Sequence, residues 1–170
     1  MKEQINVFDY AERINKALPE GILLNTQHEK FNSMVIGWGH LGVIWGLETF
    51  VVYVRQSRYT KPQIDKTGEF TISVPLEKLP PELIKVCGTM SGRDINKADY
   101  LTVVEPETNS TPGVKEAPLT IECKVIYKQD QVLKDIPQEI LDRQYNGGTD
   151  PSDYHTAYIG RIVDAYMIED

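Results

Sequence analysis

The sequence has few cysteines, no excess of basic residues and no long apolar segment. Only 2 of its 170 residues are cysteine, and Cys87 and Cys123 do not form a C-x-x-C spacing, so we expect reduced thiols. The 18 Lys and Arg residues are outnumbered by 25 Asp and Glu, giving a net charge of −7, whereas nucleic-acid surfaces are normally basic. No apolar run approaches the roughly 18 residues of a membrane span. Together with the polar start, this predicts a cytoplasmic protein with neither a nucleic-acid nor a membrane partner.

Metal-ligand patterns are absent as well. The three histidines, His28, His40 and His155, have no ligand spacing with one another or with the cysteines. We therefore expect no metal site. Cys123 lies in an alternating segment and is interpreted as a core residue.

Apolar spacing and turn residues divide the chain into strands of uneven length with short helices between them. Helices are predicted at residues 8–18, 60–68, 80–87, 95–100 and 137–145. Strands are predicted at residues 22–26, 33–38, 49–54, 69–74, 119–127 and 154–167, and a polar surface loop at 105–118. This order predicts one mainly β, barrel-like domain and not a doubly wound sheet.

Residues 37–42 match the dinucleotide pattern G-x-G-x-x-G letter for letter. That pattern binds a pyrophosphate only where its last glycine opens a helix. Gly42 is followed by Val43, Ile44 and Trp45, and residues 49–54 are all β-branched or aromatic. Residues of these types favour a strand over a helix. We therefore reject a nucleotide-binding Rossmann motif here.

A better functional signal is the segment 55–60, Arg-Gln-Ser-Arg-Tyr-Thr, which precedes a predicted helix. Thr60 and Gln63 have the spacing of a capping box, and Gly68 is suited to a left-handed helix end. Free amides at a helix start bind phosphate, and arginine adds forked donors. The segment is therefore interpreted as an anion site, the alternative being a solvated turn with two surface arginines.

The segment 87–94, Cys-Gly-Thr-Met-Ser-Gly-Arg-Asp, gives a second such signal. Ser91 and Asp94 again have capping-box spacing, and Gly92 allows close approach to the backbone. Arg93 and Lys97 add positive charge. Two helix starts of this kind in an acidic chain predict one organophosphate held between them. Cys87 is either an inert thiol or one whose pKa is lowered by this positive charge.

Four motifs together resemble the flavin reductase-like family, and more narrowly its flavoredoxin-type branch. They are residues 32–39 (NSMVIGWG), 55–60 (RQSRYT), 87–94 (CGTMSGRD) and 155–160 (HTAYIG). The resemblance runs from about Gly21 to Val163. It implies an FMN-binding split β-barrel with Greek-key topology and a homodimer with FMN near the subunit interface. The chain would then be a single domain, 1–170, with its core at 21–163 and an N-terminal helical extension at 1–20.

Position by position, the resemblance also implies a set of site residues. Backbone groups along the flavin ring would come from Asn32, Ser33, Met34, Val35, Ile36, Gly37 and Trp38. The phosphate would be held by Arg55, Ser57, Arg58 and Thr60, and the site completed by Thr89, Ser91, Gly92, Arg93 and Lys97. His155 would lie near flavin and nicotinamide, with Asp153 orienting its ring, or else be a structural residue.

Three departures from the family pattern concern the nicotinamide half. Tyr154 stands between Asp153 and His155 where many relatives have Gly-Asp-His, Arg161 replaces a common acidic residue, and Met90 stands where many have lysine.

The resemblance therefore implies an NAD(P)H-dependent reductase that passes hydride through FMN to a flavin or another small acceptor. An alternative is a flavoredoxin-like electron-transfer protein with bound FMN, a redox partner protein and no direct use of NADH or NADPH. A third reading is a β-barrel that binds another phosphorylated ligand. In the first two the cofactor carries the chemistry, so no residue other than His155 is a candidate for catalysis.

Overall fold

Strands dominate the fold of the computed structural model, which describes residues 1–169. The strands are β1 Lys2–Gln4, β2 Ile22–Gln27, β3 Phe31–Ile36, β4 Gly39–Ile44, β5 Leu47–Arg55, β6 Glu69–Val74, β7 Val103–Val104, β8 Gly113–Val114, β9 Leu119–Asp130 and β10 His155–Ile168. The helices are α1 Ala11–Ala17, α2 Thr60–Thr67, α3 Pro81–Thr89 and α4 Gln138–Gln144, with short 3-10 turns between elements. Among residues 1–169 no helix combines the length and apolar character needed to cross a membrane.

The main sheet has the order β3-β2-β6-β9-β10-β5-β4, and all neighbours are antiparallel. Strands β6, β9 and β10 are consecutive neighbours, and β5, which precedes them in the chain, lies on the other side of β10. This arrangement is a Greek key. The predicted mainly β fold with Greek-key topology is confirmed.

The first 20 residues take part in the main core. β1 pairs with the end of β10, Lys2 opposite Ile168. Val7, Ile14 and Leu18 pack with buried residues of β2, β5, β6 and β9. The helical segment predicted at 8–18 is therefore present, as a 3-10 turn followed by α1, and packs on the core of the sheet.

β9 and β10 are the longest of the described strands and lie next to each other in the middle of the sheet. Residues 119–123 of β9 are all buried, so the prediction of a strand with one exposed face is wrong there. The reason is Glu122, whose carboxylate accepts hydrogen bonds from the backbone of Glu107, Thr108 and Asn109 and so holds the long loop over the outer face. In β10, a Cβ on Gly160 would lie 2.5 Å from the ring of Phe70, which explains the glycine.

Two sequence-based assignments need correction. The glycine-rich connection after residue 38 forms β4, which pairs with β5 through a tight turn at Trp45 and Gly46. This placement agrees with the rejection of a Rossmann motif, because Gly42 lies within a strand. The helix predicted at 95–100 is reduced to the 3-10 turn Lys97–Asp99, because Asn96 has an extended backbone (φ −93°, ψ 109°).

Candidate functional site

Two adjacent cavities lie where β3, the end of β5 and the start of α2 meet. The first, called here the strand cavity, has a volume of about 190 Å³ and is lined by Met34, Val35, Ile36, Gly37, Trp38, Tyr53, Arg55, Arg58 and His155. The second, the cationic cavity, has about 180 Å³ and is lined by Asn32, Met34, Ser57, Arg58, Tyr59, Thr60, Cys87, Thr89, Met90, Ser91, Gly92, Arg93 and Lys97. Met34 and Arg58 line both, so the two cavities are parts of one site.

Apart from Ser33, every predicted site residue lines one of these cavities. The Ser33 side chain is fully buried and its hydroxyl has no hydrogen-bond partner among the described residues. Its backbone carbonyl still serves the site, because it accepts a hydrogen bond from Lys97. The prediction missed four lining residues, Tyr53, Tyr59, Cys87 and Met90. Tyr59, Cys87 and Met90 lie inside the motifs quoted above and were within reach of sequence reasoning, whereas Tyr53 lies outside them.

A larger cavity, about 900 Å³, lies elsewhere, between α1 and residues 75–78. Its lining mixes acidic and basic side chains, including Glu12, Arg13 and Lys16. Lys16 is already paired with Glu12 there. We place the functional site at the two smaller cavities because three positive side chains, Arg58, Arg93 and Lys97, converge there without an acidic residue in the lining.

The cationic cavity contains three positive side chains, Arg58, Arg93 and Lys97. Within residues 1–169 none of the three forms a salt bridge with a carboxylate. Lys97 is 2% exposed, and its ammonium donates one hydrogen bond, 3.0 Å, to the carbonyl of Ser33. Burial, with a further contribution from Arg58, lowers the pKa of Lys97. An anion in this cavity would offset that cost, because a buried charge is stable only when paired.

Helix α2 begins at the cationic cavity, as predicted, and ends at Gly68, which has the left-handed φ of 66°. The predicted capping box is wrong. The Thr60 hydroxyl accepts a hydrogen bond from Nδ2 of Asn32 at 3.0 Å, and Gln63 hydrogen-bonds to Thr26 and to the carbonyl of Lys30. Thr60 and Gln63 are buried, so tertiary partners replace the local cap.

The second predicted helix start is a turn. The backbone N–H of Arg93 donates to Oγ of Ser91 at 3.2 Å, and that of Asp94 to the Ser91 carbonyl at 3.0 Å. No α-helix follows in residues 95–100. Gly92 is required by packing, since a Cβ there would lie 2.2 Å from Oδ1 of Asn32 and 2.7 Å from the ring of Tyr59. The turn thereby brings Arg93 over Tyr59, 5.3 Å from the ring centre.

Arg55 differs from Arg58 in having its donors occupied. Its Nη1 lies 2.7 and 2.8 Å from the two carboxylate oxygens of Asp153, and its Nη2 donates to the carbonyl of Gln144 at 2.9 Å. The guanidinium also lies 5.1 Å from the ring centre of Tyr145. Arg55 therefore braces the segment after α4. The expectation that Asp153 orients the His155 ring is wrong, because this carboxylate is directed to Arg55.

His155 forms one wall of the strand cavity and is 7% exposed. Its ring packs against Trp38 with a centroid distance of 4.6 Å, and its Nδ1 lies 2.9 Å from the hydroxyl of Tyr145. Burial and the nearby Arg55 charge lower its pKa to about 4. The imidazole is therefore neutral at physiological pH.

Cys87 has the opposite character to the activated thiol considered above. It is 3% exposed, and burial raises the pKa of its thiol, although Lys97 acts in the other direction. A raised pKa makes a thiol unreactive. Cys123, fully buried, also has a raised pKa, in keeping with its predicted place in the core.

The backbone of β3 adds a further feature to the strand cavity. Within residues 1–169, β3 lies at one end of the sheet order and has β2 as its single paired strand. Alternate N–H and C=O groups on its outer edge consequently have no strand partner. Met34, Val35 and Ile36 lie on this strand and line the cavity. The site thus offers backbone donors and acceptors beside Trp38 and Tyr53, next to a pocket of positive charge.

Comparisons with known proteins bear on the fold and the family of this chain. An uncharacterized protein of Archaeoglobus fulgidus is 34% identical over 100 residues; the match covers 58% of this chain and 55% of that protein, so the chain spans about half the length of this curated relative. The structure of flavoredoxin from Desulfovibrio vulgaris matches with a TM-score of 0.65 and 26% identity, covering 88% of this chain and 69% of that one. An FMN-binding domain of a flavin reductase-like enzyme from Shewanella baltica has the same fold, with a TM-score of 0.65 and 16% identity over 98% of this chain and 77% of that one.

These matches confirm the split-barrel fold and the resemblance to the flavoredoxin-type branch. The profile of the flavin reductase like domain covers residues 43–170, which include the anion segment 55–60, the turn at 91–94 and His155. The chain belongs to the flavin reductase like domain family.

Proposed function

We propose that the protein binds FMN and catalyses the NAD(P)H-dependent reduction of a flavin or another small acceptor. The observation that supports this most strongly is the convergence of Arg58, Arg93 and Lys97, without carboxylate partners in residues 1–169, beside a cavity walled by aromatic rings. A phosphate and a flat heteroaromatic ring need such a pair of neighbouring environments.

The residues present suit FMN. The phosphate would lie in the cationic cavity, where Arg58 and Arg93 offer forked donors, Lys97 a buried ammonium and Thr60 the backbone N–H at the start of α2. The next two positions of α2 add no free amide, because the Lys61 N–H donates to the Arg58 carbonyl and Pro62 has none. The ring would lie in the strand cavity along residues 34–38, with its polar edge toward the open edge of β3. When bound, FMN would supply reversible two-electron chemistry with a nicotinamide donor.

The side chains of this site would bind and orient, and none would transfer a proton. Trp38 and Tyr53 would cover the ring and exclude water, and neutral His155 would contact the ligand from the side. Arg55 would hold the segment carrying Tyr145 in place instead of contacting the phosphate.

A second function is favoured by the 26% identity to a flavoredoxin. In this alternative the protein holds FMN and exchanges electrons with a partner protein, without direct use of a pyridine nucleotide. The departures at Tyr154 and Arg161 from the family's usual nicotinamide element favour it as well.

Two measurements separate these functions. Adding FMN to the purified protein should give a bound-flavin absorbance spectrum, and anaerobic mixing with NADH or NADPH should then bleach it rapidly. Flavin that binds but is bleached only by an artificial reductant such as dithionite would support the electron-transfer alternative. A protein that binds no FMN, but does bind another phosphorylated compound, would overturn both.

We also propose that the protein is a homodimer. Val43, Trp45 and Tyr127 are 62%, 67% and 47% exposed, and the rings of Trp45 and Tyr127 meet edge to face at 6.1 Å. Exposed apolar patches of this kind are typical of interfaces. Light scattering should give twice the 19.3 kDa chain mass. Trp45→Lys should shift the protein toward the monomer, whereas the control Leu76→Lys, at an exposed apolar residue elsewhere, should not.

A further inference from the structure

Behind the strand cavity, hydrogen bonds link three side chains that no motif had connected. The Tyr145 hydroxyl lies 2.7 Å from Oε1 of Gln131 and 2.9 Å from Nδ1 of His155. The backbone N–H of His155 also donates to Oε1 of Gln131, at 3.1 Å. Tyr145 is 2% exposed and its ring packs edge to face on His155 at 5.5 Å. The cluster is therefore tightly enclosed.

The positions of the protons in this cluster follow from counting donors. A backbone N–H only donates, so the Gln131 group facing it is the amide oxygen. The Tyr145 hydroxyl has one proton, which it gives to that oxygen. Its own oxygen is then left as an acceptor, and the group 2.9 Å away, Nδ1 of His155, must carry a proton.

The protonation of Nδ1 also determines the state of Nε2, the other ring nitrogen of His155. In a neutral imidazole only one nitrogen carries a proton, so Nε2 of His155 is an acceptor. No group of residues 1–169 hydrogen-bonds to Nε2, and this atom is not among the buried atoms left without a partner. His155 lines the strand cavity, so Nε2 is open to it.

The surroundings keep the ring neutral. The charged groups that act on it are Arg55 and Arg58, which oppose protonation, and Asp153, which favours it. Asp153 is itself paired with Arg55, which weakens its effect. Burial is the largest influence and lowers the pKa of His155 to about 4.

We propose that Gln131 and Tyr145 are positioning residues that hold His155 in the Nδ1–H tautomer, so that Nε2 accepts a hydrogen bond from an N–H or O–H group of the ligand in the strand cavity. The identity of that ligand rests on the proposed function, but the tautomer is a property of the chain alone. Arg55 helps to keep Tyr145 in place, because it hydrogen-bonds to the Gln144 carbonyl and to Asp153, which precede and follow Tyr145 in the chain.

Nitrogen NMR of the full-length, ¹⁵N-histidine-labelled protein tests this, since long-range ¹H–¹⁵N spectra distinguish a protonated from an unprotonated ring nitrogen. The His155 signals are assigned by removing the two exposed histidines with His28→Ala and His40→Ala. At neutral pH, with and without FMN, the wild-type protein should show protonated Nδ1 and unprotonated Nε2.

Two variants should change the dominant tautomer to Nε2–H. Gln131→Met frees the Tyr145 proton to be donated to Nδ1, and Tyr145→Phe removes the acceptor for Nδ1–H. Gln131→Glu, which keeps the acceptor oxygen, should retain the Nδ1–H tautomer when measured at mildly alkaline pH. Tyr154→Phe is the matched control, because that hydroxyl binds Asp130 and not His155, and it should leave the spectrum unchanged.

An Nε2–H tautomer in the wild type would overturn the proposal, and so would an Nδ1–H tautomer that persists in folded Gln131→Met. If Tyr145→Phe fails to fold, the Gln131 variants decide the outcome. Failure of FMN binding with the tautomer as stated would refute the proposed function and leave this inference intact. Bound FMN with the wrong tautomer would do the reverse.

Discussion

The two halves of the site treat their polar groups in opposite ways. In the cationic cavity Arg58, Arg93 and Lys97 have no carboxylate partner in residues 1–169. Arg58 and Arg93 are exposed, whereas Lys97 is almost fully buried, which lowers its pKa. Beside the strand cavity, Arg55 and Tyr145 have their hydrogen bonds satisfied by protein groups. A buried lysine without a carboxylate partner indicates that a ligand supplies the opposite charge, whereas a network of side chains that bond to one another indicates that its members position each other.

The largest effect should come from removing charge at the cationic cavity. Arg58→Ala alone should weaken FMN binding by about 1.5–3 kcal/mol, the usual value of hydrogen bonds to charged groups. Arg58→Ala with Arg93→Ala should weaken it by roughly 3 kcal/mol or more. Isothermal titration or fluorescence quenching measures the affinity. Arg161→Ala, on an exposed arginine away from both cavities, is the control and should bind FMN normally. Unchanged FMN affinity in the Arg58→Ala, Arg93→Ala double variant would show that the cationic cavity does not bind the phosphate.

The stability of the protein should fall in acid because of His155. Its pKa is about 4 in the folded protein and about 6.5 in the unfolded chain. Between these values the unfolded chain binds a proton that the folded protein does not, so unfolding becomes easier as pH falls from about 6.5 to 4. The contribution is present in full above pH 6.5 and its loss amounts to about 3 kcal/mol at most.

Denaturant unfolding of the wild type and His155→Gln across this range checks that expectation. The difference in unfolding free energy between them should shrink or change sign as the pH is lowered. A constant difference from pH 7 to 4 would show that His155 titrates alike in both states.

Arg55→Ala should affect stability more than affinity. It leaves Asp153 and the Gln144 carbonyl without their donor, at a cost of about 1–2 kcal/mol, reduced because the ion pair is partly exposed. Its effect on FMN affinity should be smaller than that of Arg58→Ala. Asp153→Asn and the double variant form a cycle that measures the coupling. Loss of FMN affinity as large as in Arg58→Ala, with stability intact, would assign Arg55 to the phosphate after all.

The smallest effect is expected at Ser33, the predicted site residue that lines neither cavity. Its buried hydroxyl has no partner of normal hydrogen-bond geometry among the described residues and acts only weakly on the Cys87 thiol, so Ser33→Ala removes at most a weak contact to sulfur. Stability should stay within about 0.5 kcal/mol of the wild type, and FMN affinity should be unchanged because the carbonyl that holds Lys97 remains. A clear loss of affinity would mean that the hydroxyl contacts the ligand.

Local pattern was sufficient for much of the fold. The alternation in β6 and β10, Gly68 after α2 and Pro80 before α3 predicted those boundaries nearly to the residue, whereas α3 continues through Gly88, its expected end, to Thr89. β4 was missed because glycines at 39 and 42 weaken its strand character, and only pairing with β5 makes it a strand. The helix after Ser91 was predicted wrongly because a capping pattern counts only where a helix can follow, and Asn96 is extended.

By itself, the sequence determined the kind of site: arginines around a helix start, a glycine turn with more positive charge, and motifs in the order of a flavin reductase-like chain. Those features are local, because charge, turn chemistry and helix ends depend on neighbouring residues. Only the tertiary structure decided that Arg58 faces a cavity while Arg55 pairs with Asp153, and that Tyr145 rather than Asp153 holds His155. These partners lie on separate elements, and their distances depend on how β5, β10 and the segment after α4 pack together.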